Sequence, residues 1–183
     1  IMSNLKKLLV PIDFSLESEK ALRYASSLAE QIKGELIALH VIDELNERAG
    51  LLPLIMPPEG WPFFGAEPPA RPIDILLRER TLDLWNFINR IVPDPATIKL
   101  RKIVRLGTLR KEIIAVAREE AIDLIVLELH NRFLFSNLAN RKLLKMIDKL
   151  PFPVLLAPPV SDQKPKPGRR VLAFFPFASE SAV

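Results

Sequence analysis

The chain has 183 residues, enough for one domain with a full core and too few for two of ordinary size. It is 49% hydrophobic and 26% charged, the balance of a folded domain and not of a disordered tail. A net charge of +4 spread along the chain gives little reason to expect nucleic acid, and the lack of cysteine excludes disulfides, thiolate metal sites and a cysteine nucleophile.

No apolar run reaches the length of a membrane span, and Ile1-Met2-Ser3-Asn4 lacks the basic-then-apolar layout of a secretion signal. The expectation is a cytoplasmic protein with no membrane span. Leu8-Leu9-Val10-Pro11-Ile12 reads as a parallel strand covered on both faces. Ser15 then stands where it can cap a helix, on which Ala21, Leu22, Ala25, Leu28, Ala29 and Ile32 recur at helical spacing until Gly34 stops it. Glu35 to Ile42 is a second buried strand.

Residues 44–72 break this rhythm. Prolines at 53, 57, 58, 62, 68, 69 and 72, with Gly50, Gly60 and Gly65, exclude regular structure. The segment nevertheless carries Leu51, Leu52, Leu54, Ile55, Met56, Trp61, Phe63 and Phe64. It reads as a loop that packs back on its own domain, or else as a lid or a surface for a protein partner.

From Ile73 to Ile91 an amphipathic helix is expected, with Leu77, Leu84, Ile88 and Ile91 as its apolar stripe and Pro93 and Pro95 after it. Ile98 to Leu106 reads as a strand with an irregularity near Arg101-Lys102. Gly107-Thr108 turns into a helix marked by Ile113, Val116, Ala117 and Ala121, and Asp123 to Leu127 is a fourth strand. Ser136 to Leu150 follows as a helix with Ala139, Leu143, Met146, Ile147 and Leu150 inward, and Pro153 to Ala157 is the fifth strand, stopped by Pro158-Pro159. Five strands alternating with four helices predict an α/β fold: a doubly wound five-stranded parallel sheet in the order 3-2-1-4-5, with helices on both faces.

Catalytic chemistry has little to draw on. His40 lies inside a buried strand and reads as a core residue, whereas His130 follows the fourth strand at the carboxyl edge, where open α/β sheets bind ligands. One such histidine without a nucleophile or second ligand makes no catalytic site, and Glu119-Glu120 reads as a solvated pair. No phosphate-loop, dinucleotide or zinc spacing is present, so neither a catalytic residue nor a metal is expected.

Taken in order, Leu8 to Ser15 with Ala21-Leu22 and Ala25, then Leu39 to Ile42, Gly107 to Val126, His130, Arg132 and Pro153 to Leu156 resemble the universal stress protein family over roughly Leu5 to Pro158. Nucleotide-binding members carry Gly, two residues, Gly, nine residues, then Gly and Ser or Thr after the fourth strand. Those positions fall here on Glu128, Asn131, Arg141 and Lys142. Side chains there obstruct the backbone's approach to phosphates, and Glu128 adds a like charge. Pro11, Asp13 and Val41 match positions that line the adenosine side of the cleft, although a strand-end Asp also commonly serves a turn.

The resemblance therefore implies a non-catalytic stress-response or regulatory domain with a degenerate nucleotide cleft and no cofactor. It acts through dimerisation and partner contact. The alternative is a nucleotide-binding module or slow ATPase, holding ATP or AMP with Arg141 and Lys142 in place of glycines. A third reading is the regulatory part of a larger transporter chain. The family's last strand implies a homodimer through Val154, Leu155 and Leu156. Residues 1–160 read as the domain and 161–168 as a linker. In the tail 169–183, Arg169 to Ser181 parallels Lys6 to Ser18, as if a second repeat began there, or by chance resemblance of two short apolar strands.

Overall fold

Successive residues of the apolar runs face opposite ways in a pleated strand, so each run feeds two cores at once. A computed structural model describes residues 5–43, 72–92, 94, 97–128, 144–157 and 172–174. Its elements are β1 (Lys7–Ile12), α1 (Leu16–Ile32), β2 (Glu35–Asp43), α2 (Pro72–Ile91), β3 (Lys99–Gly107), α3 (Leu109–Glu119), β4 (Leu124–Glu128), β5 (Val154–Ala157) and β6 (Leu172–Phe174). Residues 144–147 are also helical. The expected loop at 44–71, the first part of the helix from Ser136 and the linker at 161–168 lie outside the described residues.

The strands lie in the order β3-β2-β1-β4-β5-β6. The first five run parallel in the expected order, and β6 adds antiparallel to β5. On one face Leu8, Val10, Leu36, Ala38, Leu124 and Val126 pack against Ala21, Leu22 and Ala25 of α1 and Leu84, Phe87 and Ile88 of α2. On the other, Leu9, Ile37, Leu39, Ile125, Val154 and Leu156 pack against Ile113, Val116 and Ala117 of α3 and against Ile147 and Leu150. Full burial of each such leucine or isoleucine contributes about 1.5–3 kcal/mol before the cost of ordering the chain. Helices therefore cover both faces, and among the described residues no helix is long and apolar enough to cross a membrane.

Four local expectations are corrected. On α2, Leu84, Ile88 and Ile91 are buried, but Leu76 and Phe87 complete the stripe and Leu77 is only half-buried. Strand β3 keeps unbroken register with β2 from Lys99 to Gly107, with no irregularity at Arg101-Lys102. Lys102 takes a place opposite Ala38 on the α2 side, where its ammonium lies 5.6 Å from the Trp85 ring centre; an edge strand can carry a cation there because its outer rim is wet.

Ala121 does not belong to the inward face of α3. It is exposed and left-handed (φ 52°), and its N–H donates to the Arg118 carbonyl while that of Ile122 donates to Ala117. This is the paired bonding that closes a helix. At the end of α1 the left-handed residue is Lys33 (φ 51°), not Gly34. Gly34 is needed for another reason: a Cβ there would stand 2.8 Å from the Lys6 carbonyl oxygen.

The amino end of the sheet is tied by charge. Buried Glu35 accepts a 2.8 Å hydrogen bond from Lys99, which holds its carboxyl below the usual carboxylate range against the cost of burial. Arg101 pairs with Glu120 and Arg105 with Glu119, so most of the cations on β3 are neutralised by α3 or β2.

Candidate functional site

Parallel strands bring their carboxyl ends to one side, and β1 lies at the switch point between β2 and β4. The ladder from β1 to β4 is short, Leu8 to Leu124 and Leu9 to Ile125, and Pro11 has no N–H with which to extend it. Pro11 lies opposite Leu39, and Val41 opposite Arg105; both are half-buried, and Val41 packs on the core beneath α3.

Asp13 follows β1 in a tight turn, with Phe14 left-handed at φ 64°. Its carboxylate accepts the Ser15 N–H at 3.0 Å and the Ser15 hydroxyl. Ser15 Oγ in turn accepts the Ser18 N–H at 3.1 Å and so caps α1 as expected. Partial burial works against ionisation of Asp13, but the hydrogen bonds from Ser15 and Ser18 outweigh it and hold the carboxyl below its ordinary value. Asp13 is thus a turn residue whose Oδ1 is engaged within the chain.

His40 is a core residue, as expected. Its Nδ1 lies 2.8 Å from the Ile12 carbonyl oxygen, and burial pushes its pKa down. A neutral imidazole donating from Nδ1 fits both observations. Its ring centre lies 4.5 Å from that of Phe14, which meets Phe87 edge-on at 5.4 Å. Sequence reasoning assigned no role to Phe14 or Phe87. Together these rings close the α2 side of the carboxyl end, while Pro11 and Val41 line the α3 side.

Glu128 is the last residue of β4, opposite Ala157 of β5, so it does stand at the carboxyl edge. His130, Asn131, Arg141 and Lys142 lie outside the described residues. The structure therefore brings Pro11, Asp13, Val41 and the backbone of Glu128 to one end of the sheet. Among the described residues no cluster of histidine or carboxylate groups could hold a metal ion. An open depression of about 360 Å³ lies elsewhere, between α1 and the end of α2, lined by Arg23, Glu30, Ile91 and Ile98.

The edge on which the homodimer was expected is also in view. Val154, Leu155 and Leu156 pair with Phe174, Ala173 and Leu172 of the chain's own tail.

Comparison with known proteins gives consistent matches. The model of the universal stress protein family matches residues 4–158. Universal stress protein MJ0577 of Methanocaldococcus jannaschii is 27% identical over 128 residues, 69% of this chain and 78% of that protein. The solved structure of MJ0577 aligns with a TM-score of 0.57 at 25% identity, covering 86% of this chain and 96% of that one. Universal stress protein UspA from Lactobacillus plantarum aligns with a TM-score of 0.54 at 20% identity, over 84% of this chain and 97% of that one, which bears on the fold alone.

Proposed function

The chain belongs to the universal stress protein family, and on that premise we propose that it is a non-catalytic, cytoplasmic stress-response domain that works through protein contacts, a second copy of itself among them, and does not hold ATP tightly. The observation that carries this reading is that β4 ends on Glu128 at the carboxyl edge, where nucleotide-binding members have the first glycine of their phosphate loop. A carboxylate about 4 Å from a phosphate charge costs about 1 kcal/mol in water and about 4 kcal/mol near a protein surface. Asn131, Arg141 and Lys142 at the other loop positions deny phosphates the bare backbone that glycine offers.

The rest of the described cleft is spent internally. Asp13 is engaged by Ser15, and the lone described histidine of this end donates into β1. Neither is poised for proton transfer to a bound molecule, which supports a binding role over a catalytic one.

The test is the melting temperature of the chain in excess ATP with magnesium. Ligand at about 100 times its dissociation constant adds about 2.7 kcal/mol of stability, a shift of several degrees. The proposal expects no shift. A rise of that size would favour the other reading, in which Arg141 and Lys142 supply charged donors where the glycines are missing.

A further inference from the structure

We propose that β6 is a displaceable cap: the tail strand closes the outer edge of β5, and a second copy of this chain pairs with that edge when β6 leaves. Every residue of β5 is buried, Val154 at 1%, Leu155 at 8%, Leu156 at 3% and Ala157 at 5% exposure, and none is charged. Its inner edge is paired to β4. Without β6 its outer edge would show a row of unpaired N–H and C=O groups flanked by two apolar cores, a ready template for another strand.

The opposite rim shows that this sheet has another way to protect an edge. There β3 carries Lys99, Arg101, Lys102 and Arg105, long charged side chains of the kind that blunt an edge, three of them held by Glu35, Glu119 and Glu120. Strand β5 has none of these, so its protection rests on β6.

The cap is short. Its ladder is three residue pairs long and, unlike the still shorter ladder of β1 with β4 inside the sheet, has no strand beyond it among the described residues. It is joined to β5 through residues 158–171, which include Pro158, Pro159, Lys164, Pro165, Lys166 and Pro167. Because β6 belongs to the same chain, its pairing with β5 does not depend on protein concentration, whereas that of a second copy does. Polarity makes the competition direct. β6 lies antiparallel to β5, and a second β5 related by a two-fold axis also arrives antiparallel, against the same backbone groups. The tail therefore decides whether the self-association in the proposed function takes place. This inference rests on the protein-contact part of that reading and not on the nucleotide part, so the ATP melting experiment and the one below fail independently.

The chain has no cysteine, which makes the pairing testable by a single disulfide. Register places Leu155 opposite Ala173, within the reach that a disulfide between facing strands requires. The double variant Leu155→Cys with Ala173→Cys is oxidised and compared with the unmodified chain and with one ending at Pro159, by light scattering and non-reducing gel. The expected results are an intrachain disulfide, a monomer for the locked and the unmodified chains, and a doubled mass for the shortened chain. Ala173→Pro, which breaks the β6 ladder in the full chain, is expected to double the mass as well, and it decides the matter if the shortened chain is insoluble. Disulfides between chains would show that β6 is exchanged between copies and overturn the proposal. So would a monomer for both the folded shortened chain and Ala173→Pro, or a dimer for the unmodified chain.

Discussion

At the carboxyl end of the sheet, Asp13 is bound up with Ser15 and His40 with Ile12, so these two groups find their partners within a few residues or in the adjacent strand. At the lateral edge, β5 has no such partners nearby and is met by a strand from the far end of the sequence. The first arrangement is built from neighbours in the turn and the adjacent strand. The second is a surface whose protection can be removed. The described polar pair at the carboxyl end is held by local hydrogen bonds, whereas the side edge is covered by a strand distant in sequence.

If the two regions differ in this way, they should respond differently to substitution. The largest effect is expected at β5. Leu155→Asp puts a carboxylate into a core with no partner and should cost about 3–5 kcal/mol in urea denaturation. On the β3 rim, Lys102→Glu should stay within about 1 kcal/mol, because that side chain reaches water. Equal losses at the two positions would erase the distinction.

Ser15→Ala is expected to cost about 1 kcal/mol, by removing the cap of α1. It should also remove the hydroxyl's hydrogen bond to Asp13 and leave the one from the backbone N–H of residue 15. The folded chain holds the Asp13 carboxyl below its ordinary value, so its contribution to stability is full above a pH of about 3.9 and is lost as pH falls through the lower, folded value. In Ser15→Ala that loss should be smaller, with the Asp13 carboxyl titrating nearer its ordinary value by NMR. An unchanged titration would mean that the Ser15 hydroxyl does not hold the Asp13 carboxyl down.

The smallest effect expected is a gain. Ala121 pays for a left-handed backbone at the end of α3, and Ala121→Gly should stabilise by about 0.5–1 kcal/mol in the same denaturation assay. It touches neither region and should leave their difference unchanged.

Much of this was legible because period and punctuation are local. The apolar runs from Leu8 and Glu35, the capping Ser15 and the prolines after Ala157 place strands and joints without reference to the rest of the chain. The phase of α2 was not legible, since Ile75, Leu76 and Leu77 are all apolar and spacing cannot choose among them; in the fold it is Leu76 that is buried and Ile75 that is exposed. Ala121 carries no sign of a left-handed backbone. At the site, Pro11, Asp13, Val41 and Glu128 fall at the carboxyl end as their positions in the strands require. The contact of Phe14 with His40 and Phe87 joins three separate segments, and no local pattern announces it. The tail looked like a strand because its apolar run parallels the opening of β1, but its direction against β5 depends on the sheet it joins.

Calorimetric titration of ATP with magnesium tests most directly whether the carboxyl end has given up the nucleotide. The unmodified chain should show no micromolar binding, whereas Glu128→Gly with Asn131→Gly should gain about tenfold or more in affinity, since each tenfold is about 1.4 kcal/mol and removing one like charge near the phosphates is worth that much. Micromolar affinity in the unmodified chain, unimproved by the glycines, would contradict the account.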